Sequence, residues 1–413
     1  MRIWILNHYA IASGSGGGTR HFDLAKQLIK DNYKVTIFAS SFDHYSKTEK
    51  VFKRKSKTQV IEEIQGVEFL WIRTTSYQKN NLRRVMNMVT YTLRSYRASK
   101  KMDEKPDIVI GSLMHPMAAV IGYLIAKRFG AKFYFEERDL WPQTLIDLGK
   151  ISSKHPITRM LSSLELFLYK KADRIIVLFE NAERYIRTRG IEADKVVYLP
   201  NGVDLERFDQ SIHQVIADEK ISDFFYQNRE GFIAIYIGAH GVPNHLDPIL
   251  DVAAILKDQT DEIKFLFIGE GVEKKRLVQR KQDENLNNVT FYSSVSKEMI
   301  PSILKQAHVG LLSLQDLPLY QWGFSPNKLY DYMAAGLPIA LLSNLDNTPI
   351  ERYSIGINAS TINSMADAIA LLKGNTVLRE NMGTSARKYV ENYNSWRNLS
   401  QKLSLIMQED VKD

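Results

Sequence analysis

Short apolar runs rich in isoleucine, valine and phenylalanine recur along the chain and alternate with longer segments of helical pattern. A first series occupies residues 2–6, 34–39, 69–72, 107–111, 132–135 and 174–178, and a second occupies residues 233–237, 264–268, 289–292, 309–312 and 339–341. Strands that alternate with crossover helices are typical of parallel sheets. The pattern therefore predicts an α/β protein with two doubly wound, Rossmann-like parallel-sheet domains in tandem.

The two series are separated by the segment 199–204, Leu-Pro-Asn-Gly-Val-Asp. Its proline and its Asn-Gly pair favour a hinge over the interior of an element. We predict a first domain over residues 1–204, a second over residues 205–385, and a C-terminal helix over residues 386–413 that packs back toward the first domain. Because ligands of such sheets bind beyond the carboxyl ends of the strands, we expect the active site in a cleft between two facing sheets.

Length and composition narrow the class of protein. A chain of 413 residues suits two domains of similar size. The absence of cysteine excludes disulfides, thiolate zinc sites and cysteine nucleophiles. The first apolar run is too short for the apolar region of a signal peptide, and the run 117–126 is too short to span a bilayer. We expect a cytoplasmic protein that does not cross a membrane.

The net charge of +8 implies an anionic partner, which could be nucleic acid, a phosphorylated substrate or an anionic lipid surface. The basic residues form two clusters in the first third of the chain. The first cluster faces only Glu49, and the second contains no acid: they are Lys47, Lys50, Lys53, Arg54, Lys55 and Lys57, and Arg83, Arg84, Arg94, Arg97, Lys100 and Lys101. No recognised nucleic-acid-binding motif accompanies them, so we expect no nucleic-acid partner.

The second basic cluster lies on a predicted amphipathic helix. Its apolar residues share one helical face: they are Leu82, Val85, Met86, Val89 and Leu93. An apolar face with basic margins is typical of an interfacial helix on an anionic membrane. A helix that packs on a protein core has the same apolar stripe, so both interpretations stay open.

A glycine-rich loop, residues 13–20, follows the first strand and precedes a helical pattern. Glycines such as Gly17 and Gly18 let the backbone approach a phosphate at the start of a helix, although a flexible connection has the same composition. Thr19 occupies the position of the third glycine in a dinucleotide fingerprint. A nicotinamide cofactor is therefore disfavoured.

A second motif, residues 323–338, predicts a short helix with an unusual charge. Ser325 can cap this helix with Pro326 at its first position, and Gly336 can end it. Lys328 lies in the first turn, where the helix dipole disfavours a cation unless an anion is bound nearby. Asp331, on about the same face, could hold a ribose hydroxyl. A purely structural helix accounts for Ser325 and Gly336 but not for Lys328.

This second motif resembles the donor-binding helix of the family-four retaining glycosyltransferases. The variant Ser-Pro-Asn-Lys-Leu resembles bacterial aminosugar transferases such as N-acetyl-fucosaminyltransferases. The resemblance implies a GT-B fold, and donor-binding roles for the residues that match the motif: Ser325, Pro326, Asn327, Lys328, Leu329 and Asp331. In the family's pair of glutamates, Gly323 stands at the first position and Asp331 at the second.

Two further loops resemble donor-site loops of the same family. They contain Gly238 in the segment 236–241, and Gly269 and Gly271 in the segment 267–271. Many members have an arginine and a lysine in the first loop that neutralise the diphosphate, whereas this chain has Ala239 and Asn244. We hypothesise that Lys328 supplies the missing positive charge.

In the predicted first domain, two segments follow strands directly. By resemblance, His115 lies beside the donor sugar, and the stretch that contains Arg138, Asp139 and Trp141 lines the acceptor side of the cleft. The alternatives are a loop histidine and a surface ion pair beside a packed tryptophan. His115 and Lys328 are the two candidates for catalytic residues.

Taken together, the resemblance implies a retaining glycosyltransferase of bacterial surface polysaccharide synthesis, as in capsule or O-antigen. The expected donor is a UDP-sugar with an N-acetylhexosamine, and the expected acceptor is a lipid-linked saccharide. No metal-binding pattern stands in a suitable setting, so we expect no metal and no cofactor beside the UDP-sugar co-substrate. The enzyme is expected on the inner face of the plasma membrane as a peripheral protein. A catalytically inactive GT-B scaffold and a nucleic-acid-binding protein are the alternatives.

Overall fold

A computed structural model of the chain describes residues 1–12, 18–44, 46–52, 57–79, 81–260 and 262–412. The chain divides into two compact units. The first consists of Met1–Asn201, Gln321–Ser325 and Trp396–Asp413, and the second of Gly202–Tyr320 and Pro326–Ser395. Gly17 of the glycine-rich loop, and Lys53, Arg54 and Lys55 of the first basic cluster, lie outside the described residues.

The strands coincide with the apolar runs of the sequence, with a few short additions. They are β1 Arg2–Leu6, β2 Lys34–Ser40, β3 Phe42–Asp43, β4 Thr48–Glu49, β5 Gln59–Ile64, β6 Val67–Ile72, β7 Ile108–Ser112, β8 Lys132–Glu137, β9 Arg174–Val177, β10 Val196–Tyr198, β11 Phe232–Ile237, β12 Ile263–Ile268, β13 Val289–Tyr292, β14 Val309–Ser313, β15 Ile339–Leu342 and β16 Gly356–Ala359. Most are buried along their whole length, as expected for parallel strands covered by helices on both faces.

The helices that connect these strands carry apolar residues toward the sheets. They are α1 Arg20–Lys30, α2 Leu82–Ser99, α3 Pro116–Phe129, α4 Gln143–Asp147, α5 Pro156–Lys171, α6 Ala182–Thr188, α7 Leu205–Ser211, α8 Glu219–Gln227, α9 Asp247–Gln259, α10 Lys274–Asp283, α11 Ile300–Leu304, α12 Asn327–Ala334, α13 Pro349–Arg352, α14 Ile362–Gly374, α15 Thr376–Tyr389 and α16 Trp396–Lys412. Short 3₁₀ turns occupy Ala193–Lys195, Val242–Asn244, Lys297–Met299 and Pro318–Trp322, and a π-helical turn occupies Val390–Asn394.

The first unit is built on an eight-stranded sheet in the order β10-β9-β8-β7-β1-β2-β6-β5. Neighbouring strands are parallel except for β5, which is antiparallel to β6. Two apolar cores cover the two faces of this sheet, and α16 contributes to one of them. The strand order reverses at β1, which lies between β2 and β7. The carboxyl end of β1 is therefore the place where a ligand of this sheet is expected.

The second unit is built on a six-stranded sheet in the order β13-β12-β11-β14-β15-β16. All of its strand pairs are parallel. The order reverses between β11 and β14, so the loop after β11 stands at the corresponding point of this sheet. The helix α12 follows β14 in the chain and packs against it and against β15.

Helix α2 packs on the core of the first unit mainly through polar and small residues. Its buried residues are mostly polar or small: they are Asn87, Tyr91, Ser95, Ala98 and Ser99. Its large apolar residues face outward instead, with Leu82 82% exposed and Leu93 53% exposed. The core-packing interpretation is therefore wrong for Leu82, Val85, Met86 and Leu93, whereas Val89 is half-buried. In the described part of the chain, no helix is both long enough and apolar enough to span a membrane.

Candidate functional site

The helix that carries the Ser-Pro-Asn-Lys motif begins one residue later than the sequence predicts. Helix α12 starts at Asn327, with Pro326 in the capping position. Ser325 is not its cap, because the Ser325 hydroxyl accepts a hydrogen bond from the backbone N–H of Asn201 at 3.0 Å, and the Asn201 amide donates to the Ser325 carbonyl at 2.7 Å. The predicted end is confirmed, since Gly336 has a φ of +68° just past the helix.

The ammonium group of Lys328 lies against neutral partners. Lys328 Nζ donates to the Tyr236 hydroxyl at 2.6 Å and to Asn244 Oδ1 at 2.7 Å. It also lies 4.2 Å from the centre of the Tyr236 ring. Burial lowers the pKa of Lys328 to about 7, because neither partner offers a negative charge to offset desolvation. Asn244, which by the resemblance stands at the position of the family's lysine, is thus in direct contact with the Lys328 ammonium.

The loops after β11 and β12 approach each other so closely that they require glycine. Gly269 has a φ of +153°, and a Cβ there would lie 1.8 Å from the carbonyl oxygen of Gly238. A Cβ at Gly271 would lie 2.2 Å from the carbonyl oxygen of His240. A Cβ at Gly238 would lie 2.9 Å from Lys328 Cε, so Lys328 packs directly on this loop.

His240 is a residue of this region that the sequence motifs did not indicate. Its side chain is fully buried at the carboxyl end of β11, and neither ring nitrogen has a hydrogen-bond partner among the described residues. Burial, and then the nearby charge of Lys274, lower its pKa to about 4, so the ring is neutral. Its position in the Gly-Ala-His-Gly loop was the available signal. Tyr236 and Asn244 were also missed as partners of Lys328.

The other predicted donor residues of α12 are distributed over different surroundings. Leu329 is buried in the second unit, and Asn327 is exposed. Asp331 lines a small pocket together with Asp204, Arg207 and Lys297. The structure therefore places Asp331 among residues other than the partners of Lys328.

Gly323 stands at the first glutamate position of the family motif and belongs to the first unit. Its φ is +109°, a backbone conformation that disfavours any residue with a side chain. A Cβ there would also lie 3.1 Å from the backbone nitrogen of Glu180. A glutamate at this position would therefore strain the local backbone.

In the first unit, two histidines meet at the carboxyl end of β1. His8 Nδ1 and His115 Nε2 are 2.7 Å apart, so one ring donates a hydrogen bond to the other. The ring of His8 stacks between Tyr91 and Tyr9, at centroid distances of 4.4 and 4.5 Å. Burial lowers the pKa of both rings, to about 4 for His115, where the charge of Arg84 also contributes. Both histidines are therefore neutral at pH 7.

A cavity of about 170 Å³ opens beside this histidine pair. Its lining comes from the segments that follow β1 and β2, and includes His8, Tyr9, Phe42, His44 and Trp71. The cavity lies where the strand order of the first sheet reverses, and the loop region around Lys328 lies where the order of the second sheet reverses. The sequence indicates only His115 at this place, because His8 and His44 belong to no motif.

A buried ion pair fixes the chain around the start of α1. Arg20 Nε donates to Glu136 Oε1 at 2.8 Å, and the same guanidinium donates to the carbonyl oxygens of Pro200 at 2.6 Å and Leu199 at 2.8 Å. His21 Nε2 lies 2.6 Å from Glu136 Oε2. Burial alone would raise the pKa of Glu136, but His21 and Arg20 hold it well below its usual range.

The predicted acceptor-side residues follow Glu136 at the carboxyl end of β8. Arg138 contacts Met114 Sδ at 3.4 Å, and Asp139 is exposed. Trp141 packs on the core, and its backbone N–H donates to Glu137 Oε1 at 3.3 Å. Glu136 and Glu137, which precede this stretch, are both buried. Gly18 precedes α1 and is partly buried.

Among the described residues, no group of three or more histidine, aspartate or glutamate side chains has the geometry to hold a metal ion. The groups in contact with Lys328 are a hydroxyl and an amide oxygen, and the group in contact with His115 is a second neutral imidazole.

Comparisons with protein families match both units. Residues 14–207 match the family described as Glycosyltransferase Family 4, and residues 217–389 match the family described as Glycosyl transferases group 1. The protein named colanic acid biosynthesis glycosyl transferase WcaI, from Escherichia coli, is 23% identical over 273 residues. That match covers 63% of this chain and 63% of the relative, so it spans less than two thirds of the relative's length.

Solved structures with similar folds cover nearly the whole chain. Sucrose-phosphate synthase from Thermosynechococcus elongatus has a TM-score of 0.73 and 15% identity, over 100% of this chain and 99% of that one. HepE from Anabaena, in complex with UDP-glucose, has a TM-score of 0.67 and 14% identity, over 99% of this chain and 100% of that one. At this level of identity the likeness concerns the fold.

Proposed function

Because the chain belongs to the glycosyltransferases and has their GT-B fold, we propose that it transfers a sugar from a UDP-sugar to a lipid-linked saccharide, with retention of anomeric configuration. The complex of HepE with UDP-glucose supports a UDP-linked donor, and the colanic acid role in the name of WcaI supports bacterial surface polysaccharide synthesis. An N-acetylhexosamine as the transferred sugar rests on the resemblance of residues 325–329 to aminosugar transferases.

The observation that carries this proposal is the unneutralised cation at the loop after β11. Lys328 has only neutral hydrogen-bond partners, Tyr236 and Asn244, and the diphosphate of a nucleotide sugar would supply the missing negative charge. The neighbouring loops, with Gly238 and Gly269, allow the backbone to approach such a group closely. We assign donor binding to this region, with Asp331 as the partner of a ribose hydroxyl.

The proposed reaction depends mainly on stabilising the negative charge that develops on the diphosphate. The bond between the anomeric carbon and the diphosphate oxygen breaks, and the acceptor oxygen bonds to that carbon on the same face. The leaving phosphate oxygen takes the proton of the acceptor hydroxyl. The protonated Lys328 stabilises the charge that develops on the diphosphate, which is the contribution expected from a prepositioned cation. We assign His115 to a hydroxyl of the transferred sugar, and we propose that no metal takes part.

Product analysis tests this function directly. The purified protein is incubated with a panel of UDP-sugars and an extract of lipid-linked saccharides, and the products are identified by mass spectrometry. We expect a mass increase of one N-acetylhexosamine in the lipid fraction, together with release of UDP. UDP binding without turnover of any sugar in the panel would favour the inactive scaffold instead.

We also propose that the first unit binds an anionic membrane, where a lipid-linked acceptor resides. The outward apolar residues lie on three helices that cover the same core, with α2 packed on α3 and α3 on α5. They are Leu82, Val85, Met86, Leu93, Met117, Leu124, Ile157, Met160 and Phe167. An apolar surface spread over adjacent helices is typical of a membrane or protein contact.

The charges of these three helices favour an anionic membrane. Helices α2 and α3 contain no aspartate or glutamate, and the Glu165 side chain of α5 is buried. The same helices contain nine basic residues: Arg83, Arg84, Arg94, Arg97, Lys127, Arg128, Arg159, Lys170 and Lys171. A basic residue near an anionic surface contributes about 1 kcal/mol. Several together, with the apolar residues, could attach the protein reversibly.

Liposome flotation tests the membrane proposal. We expect recovery with anionic vesicles that falls with added salt, and little recovery with neutral vesicles. Replacing Leu82, Met86 and Met160 by serine should reduce recovery strongly. The matched control replaces the exposed Val272 and Val377 of the second unit by serine and should float like the wild type. The proposal would be contradicted if the three-residue variant and the control lost the same share of vesicle-bound protein. Equal recovery of the wild type with neutral and anionic vesicles would also contradict it.

A further inference from the structure

Two buried carboxyl groups of the first unit share a single tyrosine hydroxyl. Glu137 is the last residue of β8 and Glu165 lies on α5, and their side chains are only 1% and 3% exposed. The hydroxyl of Tyr169, one turn after Glu165, contacts Glu137 Oε2 and lies 3.4 Å from Glu165 Oε1. Tyr185 of α6 donates to Glu165 Oε1 at 2.8 Å. We call these four residues the carboxylate network.

The Tyr169 hydroxyl cannot satisfy two anions at once. An ionised carboxylate only accepts hydrogen bonds, and a tyrosine hydroxyl has one hydrogen to donate. The hydrogen of Tyr169 therefore serves either Glu137 or Glu165. One added proton removes the conflict, because a protonated carboxyl donates to the Tyr169 oxygen while the Tyr169 hydrogen is donated to the other carboxylate.

Glu165 is the carboxyl group that its neighbours favour as an anion. Arg189 Nε lies 3.1 Å from Glu165 Oε2, and the Tyr185 hydroxyl donates to the other oxygen. Burial raises the pKa of Glu165 to about 7, against the lowering effects of Tyr185 and Arg189. The anion is therefore the main form of Glu165 above pH 7. The other described residues that line the small cavity beside Glu165 are apolar: they are Leu113, Pro116, Phe135, Trp141, Leu161, Leu164 and Leu168.

Glu137 has no such cation. In the described part of the chain it forms no ion pair, and its second contact is the backbone N–H of Trp141, which donates to Oε1 at 3.3 Å. Burial raises the pKa of Glu137 well above its usual range, and the negative charges of Glu165 and Asp139 raise it further. The neutral carboxyl is therefore the stable form of Glu137 while Glu165 is charged.

We infer that Glu137 holds a proton at neutral pH and, in this form, positions the acceptor-side segment, residues 138–142. The Glu137 hydroxyl donates to the Tyr169 oxygen, and Tyr169 donates to Glu165. The Glu137 carbonyl oxygen accepts the N–H of Trp141, as in the structure. This chain of hydrogen bonds connects the acceptor-side segment with α5. The role in acceptor binding rests on the proposed function.

Infrared spectroscopy tests the protonation state directly. At about pH 8, above the pKa of about 7 of Glu165, we expect the C=O stretching band of a protonated carboxyl in the wild type. Glu137→Gln should remove this band. The matched control, Glu192→Gln at an exposed glutamate of the same unit, should keep it. The inference would be overturned if the wild type lacked the band or if Glu137→Gln kept it. This measurement requires no activity, so its result is independent of the proposed function.

Steady-state kinetics test the positioning role. Glu137→Gln keeps a neutral group that donates to Tyr169 and accepts from Trp141, so it should change the KM for the lipid-linked acceptor by less than about twofold. Glu137→Met and Tyr169→Phe interrupt the chain of hydrogen bonds. Each should raise that KM by about tenfold, which corresponds to one hydrogen bond of about 1.4 kcal/mol, and should leave the KM for the UDP-sugar nearly unchanged.

The variants also separate a neutral Glu137 from a charged one. If Glu137→Gln is as impaired as Glu137→Met, the carboxylate is required and the inference is wrong. Wild-type acceptor KM values in both Glu137→Met and Tyr169→Phe would overturn the positioning role, and Tyr169→Phe serves alone if Glu137→Met does not fold. If the wild type transfers no sugar, the proposed function fails, and the infrared band still decides whether Glu137 holds the proton.

Discussion

The two units each contain a cation at the start of a helix, and the two cations are treated in opposite ways. Arg20 is the first residue of α1 in the first unit, and Lys328 is the second residue of α12 in the second. The dipole of a helix disfavours a positive charge at this end. Arg20 is compensated by the carboxylate of Glu136 and by two carbonyl oxygens. Lys328 has a hydroxyl and an amide oxygen as partners.

This difference separates a structural charge from a functional one. The anion of Arg20 is part of the fold, so its pair contributes to the integrity of the first unit. The ammonium of Lys328 has no such anion as a partner. Its desolvation therefore destabilises the second unit, and a bound anionic ligand would offset this effect. Removal of Arg20 should therefore lower the stability of the protein, whereas removal of Lys328 should lower its activity.

Replacement of Arg20 by methionine should have the largest effect, and on stability. It removes the guanidinium from the buried carboxylate of Glu136 and leaves the His21 ring beside it, which costs about 3–5 kcal/mol in the free energy of unfolding. Chemical denaturation followed by fluorescence measures this loss. The control Arg397→Met removes an exposed ion pair with Asp31 in the same unit and should cost less than about 1 kcal/mol. Similar losses for the two variants would show that the Arg20 pair has no special structural role.

Replacement of Lys328 by methionine should lower activity and should not lower stability. We expect kcat/KM for sugar transfer to fall by roughly 10²–10³-fold, because a prepositioned cation is lost from the developing negative charge. The thermal midpoint should stay the same or rise, since a desolvated ammonium is removed. Lys305→Met, at an exposed lysine of the same unit, should leave both unchanged. A destabilised Lys328→Met variant with normal turnover would contradict the assignment.

The pH dependence of UDP binding should report the same lysine. Burial lowers the pKa of Lys328 to about 7 in the free protein, and a bound diphosphate would raise it again. Binding then requires proton uptake above that pH, so the Kd for UDP should rise up to about tenfold per pH unit above 7. In the unliganded protein the unfolded chain binds more protons than the folded one over the same range, so stability from this group rises with pH. Calorimetry on Lys328→Met should show neither trend.

A lysine at position 244 should partly restore the Lys328→Met variant. Asn244 Oδ1 lies 2.7 Å from Lys328 Nζ, so an ammonium group carried by residue 244 can reach nearly the same place. We expect Asn244→Lys to recover about tenfold in kcat/KM, the value of one charge-assisted hydrogen bond of about 1.5 kcal/mol or more. Asn287→Lys, on the same unit at a different loop, is the control. No recovery would mean that the contribution of Lys328 depends on more than its charge at this point.

A strong metal chelator should have the smallest effect, namely none. If Lys328 neutralises the diphosphate, sugar transfer should proceed at the same rate after treatment with EDTA and dialysis. Steady-state assays with and without added magnesium or manganese measure this. A loss of turnover that either metal restores would show that a divalent cation performs the role assigned here to Lys328.

The sequence by itself determined the sheets. The strands predicted from apolar runs are all present, because a parallel strand buried on both faces must be apolar along its length. The strands that were missed lack this signal. For example, β5 is an edge strand whose middle residues are exposed and include two adjacent glutamates, and β10 has three residues. The turn at Gly336 was also predictable, since its backbone conformation favours glycine locally.

Only the tertiary structure decided the direction of the amphipathic faces and the partners of the charges. The spacing of Leu82, Val85 and Met86 shows that they share a face of α2, but the position of the core decides that this face points outward. Likewise, the sequence identified Lys328 as an unusual cation, whereas its contacts with Tyr236 and Asn244 depend on residues distant in the chain. The physical reason is that periodicity is a local property, whereas burial and the compensation of charge depend on all the elements that surround a side chain.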